Sequence, residues 1–143
     1  MSDTVTHHHT PASEPFLFSP TLYWRVSAFA LSAVAILGIV VNAVTGEVAG
    51  IANFLEFDWV HNILHVVLAL AAFVFGFGNV GAAARKYGAI VFGFVYMALG
   101  VFGLIAGPLS YEIGTLMGLE LGENLVHVVL GAWALTAGFG AKY

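Results

Sequence analysis

His65 and His127 each follow an asparagine by three residues, Asn62 and Asn124, inside long apolar runs of a 143-residue chain. Imidazoles in such runs can ligate a metal or haem iron, relay protons, or hydrogen-bond a neighbouring helix. A metal centre is chemically reasonable from His61, His65 and His127 with Asp58, Glu120 and Glu123, because imidazole plus carboxylate suits zinc, iron or manganese. Haem held between His65 and His127 is a second option, although propionates want Lys or Arg nearby and this part of the chain offers only acids. A relay would use the same cluster, yet on these two faces nothing polar continues beyond the histidines. The structural alternative gives every residue a plainer task. Asn62 and Asn124 then satisfy first-turn backbone N–H groups or bond the preceding loop, His65 and His127 fix helix register, His61 and Glu123 pair at the membrane surface, and Tyr96 is buried core. No nucleophile–base pair, phosphate loop or carboxylate dyad is present, so enzymatic activity is not expected.

Composition decides which solvent these residues meet. The chain is 60% hydrophobic and 8% charged, with a mean hydropathy of +0.95, whereas a soluble domain carries about 25% charged residues. The solvent is therefore lipid. With no cysteine, disulfide, iron–sulfur and thiol chemistry are excluded, and four Lys plus Arg cannot form a nucleic-acid footprint. Residues 1–20 are polar, lack the basic start and apolar core of a signal peptide, and read as a disordered arm. His7, His8 and His9 within it read as a solvated tail.

Four apolar segments at about 22–44, 60–78, 87–107 and 122–141 each approach the ~20 residues that span a bilayer core. Thr45-Gly46, Gly78-Asn79 and Gly107-Pro108 supply the stops. Arg25, Arg85, Lys86 and Lys142 fall at one end of these segments. Glu47, Glu56, Asp58, Glu112, Glu120 and Glu123 fall at the other. The positive-inside rule then predicts a multi-pass protein of the cell membrane with both termini cytoplasmic. Tyr23 and Trp24 on the inner side, with Phe57, Trp59 and Tyr111 on the outer, are expected in interfacial belts. The connections GEVAGIANFLEFD and LSYEIGTLMGLELGE are expected as short interfacial segments.

One self-offset stands out: Asn62/Asn124, His65/His127, Leu68/Leu130, Gly76/Gly138 and Gly38/Gly100 are all 62 residues apart. A duplicated two-helix hairpin explains this, and two helices per unit keep both copies the same way up. The expected fold is all-α, a four-helix transmembrane bundle of two parallel repeats. On helical wheels His61, Asn62, His65, Ala69, Ala72 and Gly76 share one face, as do Glu123, Asn124, His127, Gly131, Ala134 and Gly138. With Gly93, Gly100 and Gly103 on the third helix, these small residues predict close backbone packing.

The stretches FDWVHNILHVVLALAAFVFG and LELGENLVHVVLGAWALTAGFG, separated by YGAIVFGFVYMALGVFGLI, resemble the bacterial and archaeal membrane family known as domain of unknown function 4383. The resemblance covers about residues 22–141, and its motif falls on Asn62, His65, Tyr96, Asn124, His127 and Gly131. Ala69 departs from the glycine expected in the first copy. The resemblance implies a four-helix membrane protein and no activity to inherit. The expected function is a non-enzymatic structural or accessory element without a cofactor, self-associating or docking on a larger membrane complex through its glycine faces. A metal- or haem-binding protein is the alternative, and a small-solute or proton transporter comes third.

Overall fold

The computed structural model describes residues 15–46, 49–51, 55–106 and 121–142. Helix α1, Pro20–Thr45, starts where Ser19 Oγ accepts the Leu22 N–H at 3.3 Å and proline occupies the first turn. It stops at Gly46, whose φ of 73° places it in the left-handed region that glycine enters without strain. Helix α2, Trp59–Phe77, is capped by Asp58, whose carboxylate accepts the His61 N–H at 2.8 Å. Helices α3, Ala82–Ala106, and α4, Leu121–Gly140, complete the expected four. Helix α3 begins five residues before its apolar run, because Ala82, Ala83 and Ala84 are strong helix formers.

The connection between α1 and α2 holds a feature not expected from sequence. Strands β1, Ala49–Ile51, and β2, Leu55–Phe57, pair antiparallel with Ala49 opposite Phe57. The arm also orders earlier than expected: Phe16–Phe18 form a single 3-10 turn, and the Phe16 ring stacks on Trp133 at 5.5 Å. Residues 1–14, the second connection and Tyr111 lie outside the described residues.

Packing is strongest between α1 and α2 and between α3 and α4, while α1 meets α3 and α4 more lightly. The molecule is thus two helical hairpins set side by side. Most of the glycines act within the hairpins, whereas Gly88 of α3 lies between them, where a methyl group would come 3.1 Å from the Phe75 ring and 3.2 Å from the Trp24 ring. A methyl group on Gly38 would strike the Asn62 carboxamide, and one on Gly103 that of Asn124. One on Gly131 would lie 2.7 Å from the Met97 backbone nitrogen and 3.0 Å from the Gly93 carbonyl oxygen. Gly100 likewise seats Val128, Gly138 seats Ile90, and Gly76 lies against the Arg25 backbone. Under Asn124 the seat is Gly103, whereas an offset of 62 from Gly38 would give Gly100, so this contact differs in register between the hairpins.

The core is small-residue packing around two large rings. Tyr23 and Trp24, 0% and 2% exposed, are surrounded by Ala28, Leu31, Ala72, Ala89, Ala134 and Ala137. Their expected place in an interfacial belt is therefore corrected. Trp24 stacks on Phe75 at 4.7 Å and donates its indole N–H to the Arg85 carbonyl at 3.0 Å. Phe57 is also buried, whereas Trp59 is exposed as a belt residue would be.

Helices α1, α2 and α3 are long and apolar enough to cross a membrane, with mean hydropathies of 2.2, 2.0 and 2.2. At one end of the bundle the cations close open helix ends. Arg85 donates to the carbonyls of Phe75 at 2.7 Å and Gly78 at 2.9 Å, Arg25 to Gly76 at 3.0 Å, and Lys86 to Ala141 at 2.9 Å. These carbonyls lack intrahelical donors and carry the negative end of the helix dipole. Arg85→Met is expected to lower stability by about 1 kcal/mol, a charge-assisted pair of bonds discounted for half exposure. Thermal unfolding in detergent checks this, and Arg85→Lys should restore only part because an ammonium cannot fork to two carbonyls.

Candidate functional site

At the opposite end, polar groups from three helices converge. The α2 cap turns His61 inward, where its Nδ1 lies 3.6 Å from Glu123 Oε1 in the first turn of α4. One turn further on, the His65 ring sits 4.3 Å from the His61 ring. Across the bundle the His127 ring meets the edge of Tyr96 at 4.9 Å, and Tyr96 stacks on Phe92 at 4.2 Å. His61, Glu123, His127 and Tyr96 are buried, and His65 is half-buried. All five line one cavity of about 170 Å³, walled elsewhere by apolar side chains.

The cavity reaches the lipid-facing surface. Val34 and Leu37 of α1 and Val126 of α4 line it and are also exposed on the outside of the bundle. Buried Phe57 of β2 lines it too, so the ribbon closes one end of it. The Nδ1 atoms of His65 and His127 are buried and have no hydrogen-bond partner among the described residues. Unmet donors or acceptors in an apolar interior each cost about 1–3 kcal/mol, so native structures rarely retain them without a use.

The expected site residues thus divide. His61, His65, Tyr96, Glu123 and His127 come together. Asn62 and Asn124 do not join them; each is turned onto a glycine of the neighbouring helix. Asn62 was expected to serve its own first turn or the loop before it. Instead Asp58 caps the helix, and the Asn62 amide donates to Asn42 Oδ1 on α1. Asn42 in turn donates to the Phe57 carbonyl at 2.7 Å, fastening the ribbon to the hairpin. Among the described residues no three His, Asp or Glu side chains are arranged to hold a metal ion. Asp58 is engaged in its cap, and Glu120 lies outside the described residues. A haem does not fit a cavity of about 170 Å³, which is smaller than the ~300 Å³ at which pockets for larger ligands begin.

From sequence, Asn42 and Ser27 are assigned no buried polar role, and Tyr23 is expected at the interface. Asn42 is 1% exposed and could have been flagged as a carboxamide in an apolar helix, since it must find a partner there. Tyr23 and Ser27 lie one turn apart on the buried face of α1, and neither hydroxyl has an aligned partner among the described residues. Phe92 touches both Tyr23, at 6.2 Å, and Tyr96. Buried polarity therefore continues beyond the histidines, on α1 and α3. Helical wheels of α2 and α4 alone do not reveal it. Ser27 gives no signal, because serine is common in apolar helices and bonds its own backbone.

Asn42→Leu is expected to cost about 1 kcal/mol, since interhelical bonds in lipid are individually modest but Phe57 and Asn62 both lose a partner. Unfolding of the variant in detergent, beside Asn42→Gln, measures it.

Comparison with family models, with curated proteins and with solved structures finds nothing that matches this chain. What the fold and the site define is a multi-pass α-helical membrane protein with a histidine-lined cavity between its hairpins.

Proposed function

We propose that the protein is a non-enzymatic accessory element of the cell membrane that acts as a binding protein, holding a small guest in the histidine chamber. The observation that supports this is the convergence of His61, His65, His127, Glu123 and Tyr96 on one cavity. Polar side chains at membrane depth are expensive, and here two imidazole nitrogens are left without partners among the described residues. Docking through glycine faces has less support, because these glycines already seat the chain's own helices.

Helix α4 is the least apolar of the four but packs along α3, and we read it as the fourth span. With the cations at one end, the positive-inside rule puts both termini in the cytoplasm and the chamber in the outer half. We read the hairpins as copies of one unit, as the paired Asn-x-x-His motifs and the family resemblance imply.

The test is native mass spectrometry on protein purified in mild detergent without a metal-affinity step, with elemental analysis and a visible spectrum. A stoichiometric small guest, lost in Ala30→Trp at the chamber wall, is the expected result. A clean blank would count against a binding role, and stoichiometric metal or a Soret band would replace it with the metal or haem reading. The buried hydroxyls of Tyr23 and Ser27 favour one second reading, a proton relay continuing from the cluster through Tyr96. It predicts proton flux in proteoliposomes that is abolished by Tyr96→Phe.

A further inference from the structure

Resting on the chamber as a binding site, we infer that its guest is the head ring of a membrane-soluble quinone, entering from the bilayer between α1 and α4. Size is the first ground. A cavity of about 170 Å³ is close to the ~150 Å³ that accepts a single benzene ring, so it takes one ring and not a fused system. Shape is the second. The His61 and His65 rings lie together on α2, and the Tyr96 and His127 rings stand edge to face across the bundle, so flat surfaces line both sides.

Access is the third ground. Ala30, Val34 and Leu37 of α1 and Val126 of α4 line the chamber while facing lipid, so a ring can enter sideways and leave its hydrocarbon tail in the bilayer. Chemistry is the fourth. His127 is 9% exposed, its buried Nδ1 has no partner among the described residues, and the same holds for the Nδ1 of His65 on the other hairpin. A neutral imidazole carries one N–H, on Nδ1 or Nε2, and since both rings line the chamber each can donate to a guest there. Two neutral carbonyl oxygens on opposite sides of a ring suit two donors supplied from two hairpins. The lining holds no Lys or Arg among the described residues to meet an anionic head group, which sets a quinone apart from a fatty acid.

The experiment titrates 2-decyl-1,4-benzoquinone into the full chain in phosphatidylcholine nanodiscs, beside empty discs, by calorimetry and by nitrogen-15 spectra of labelled histidines. Decylbenzene, with the same tail and no carbonyl, is the control. Saturable binding of one quinone per chain is expected, with moved His65 and His127 nitrogen resonances. Decylbenzene should bind about thirtyfold more weakly, the worth of two net hydrogen bonds. The His65→Leu/His127→Leu double variant should lose about that factor for the quinone and nothing for decylbenzene, and Ala30→Trp should exclude both. Equal binding of the two compounds would make the chamber a plain hydrocarbon slot and overturn the inference. So would absence of saturable quinone binding to protein that still unfolds cooperatively. A different co-purifying guest found by mass spectrometry would also overturn the ring assignment, while leaving the chamber as a binding site. Absence of any guest together with no quinone binding would remove both.

Discussion

Gly131→Ala is expected to destabilise the protein by about 3 kcal/mol or more, the upper range for overpacking, lowering the thermal midpoint by roughly 10 °C. The reason lies in what the new methyl would meet. Its neighbours are the Met97 nitrogen at 2.7 Å, the Gly93 oxygen at 3.0 Å and the Met97 Cα at 3.2 Å. A side chain could rotate away; the backbone of α3 cannot yield without moving the helix. Separating α3 from α4 would loosen contacts along the whole hairpin, including the seats of Val128 on Gly100 and Ile90 on Gly138. Ala132→Leu, one residue along and exposed, should leave the midpoint within a degree or two. A Gly131→Ala protein as stable as the parent would mean that α3 and α4 are not in backbone contact there.

The second large effect has the opposite sign. Without a guest, His65→Leu/His127→Leu is expected to be more stable than the parent by about 2 kcal/mol. Each substitution removes a buried ring nitrogen without a partner among the described residues, a penalty of about 1–3 kcal/mol. Against this stands the lost edge contact of His127 with Tyr96, worth about 0.5–1.5 kcal/mol. Chemical or thermal unfolding in detergent gives the sign directly. A clear loss of stability would show that the histidines hold the helices together and are not kept for a guest. A gain with loss of binding is the signature of a site maintained at the expense of stability.

How much of the molecule is legible in its sequence varies with the physics of each residue. The four helices are legible because an apolar run of membrane length is compatible with little except a span, and the C-terminal end of α1 because Thr45-Gly46 satisfies backbone groups locally. The members of the cluster are legible one by one, since His61, His65, Glu123 and His127 are polar at matching depth in apolar runs. Their meeting around a cavity is not, because it depends on how two hairpins lean together. Tyr23 and Trp24 are misplaced by a sequence argument because an aromatic ring with one polar atom suits an interface and a core equally well. The β1–β2 ribbon escapes it because three residues per strand carry no usable alternation. Asn42 could have been singled out, because its carboxamide had to find a partner in an apolar helix, and it found both Asn62 and Phe57.

The division into two hairpins bears on biogenesis. Partners α1 and α2 adjoin in sequence, as do α3 and α4, so most close packing joins neighbours along the chain, the pattern that forms fast. The chamber has another history. Its walls come from α1 and α2 on one side and α3 and α4 on the other, so neither hairpin contains it alone. It comes into being when the second hairpin reaches the first. A nascent chain halted after Phe77 would thus hold a finished helical pair and half a binding site, and the ability to take up a guest would report the completion of assembly.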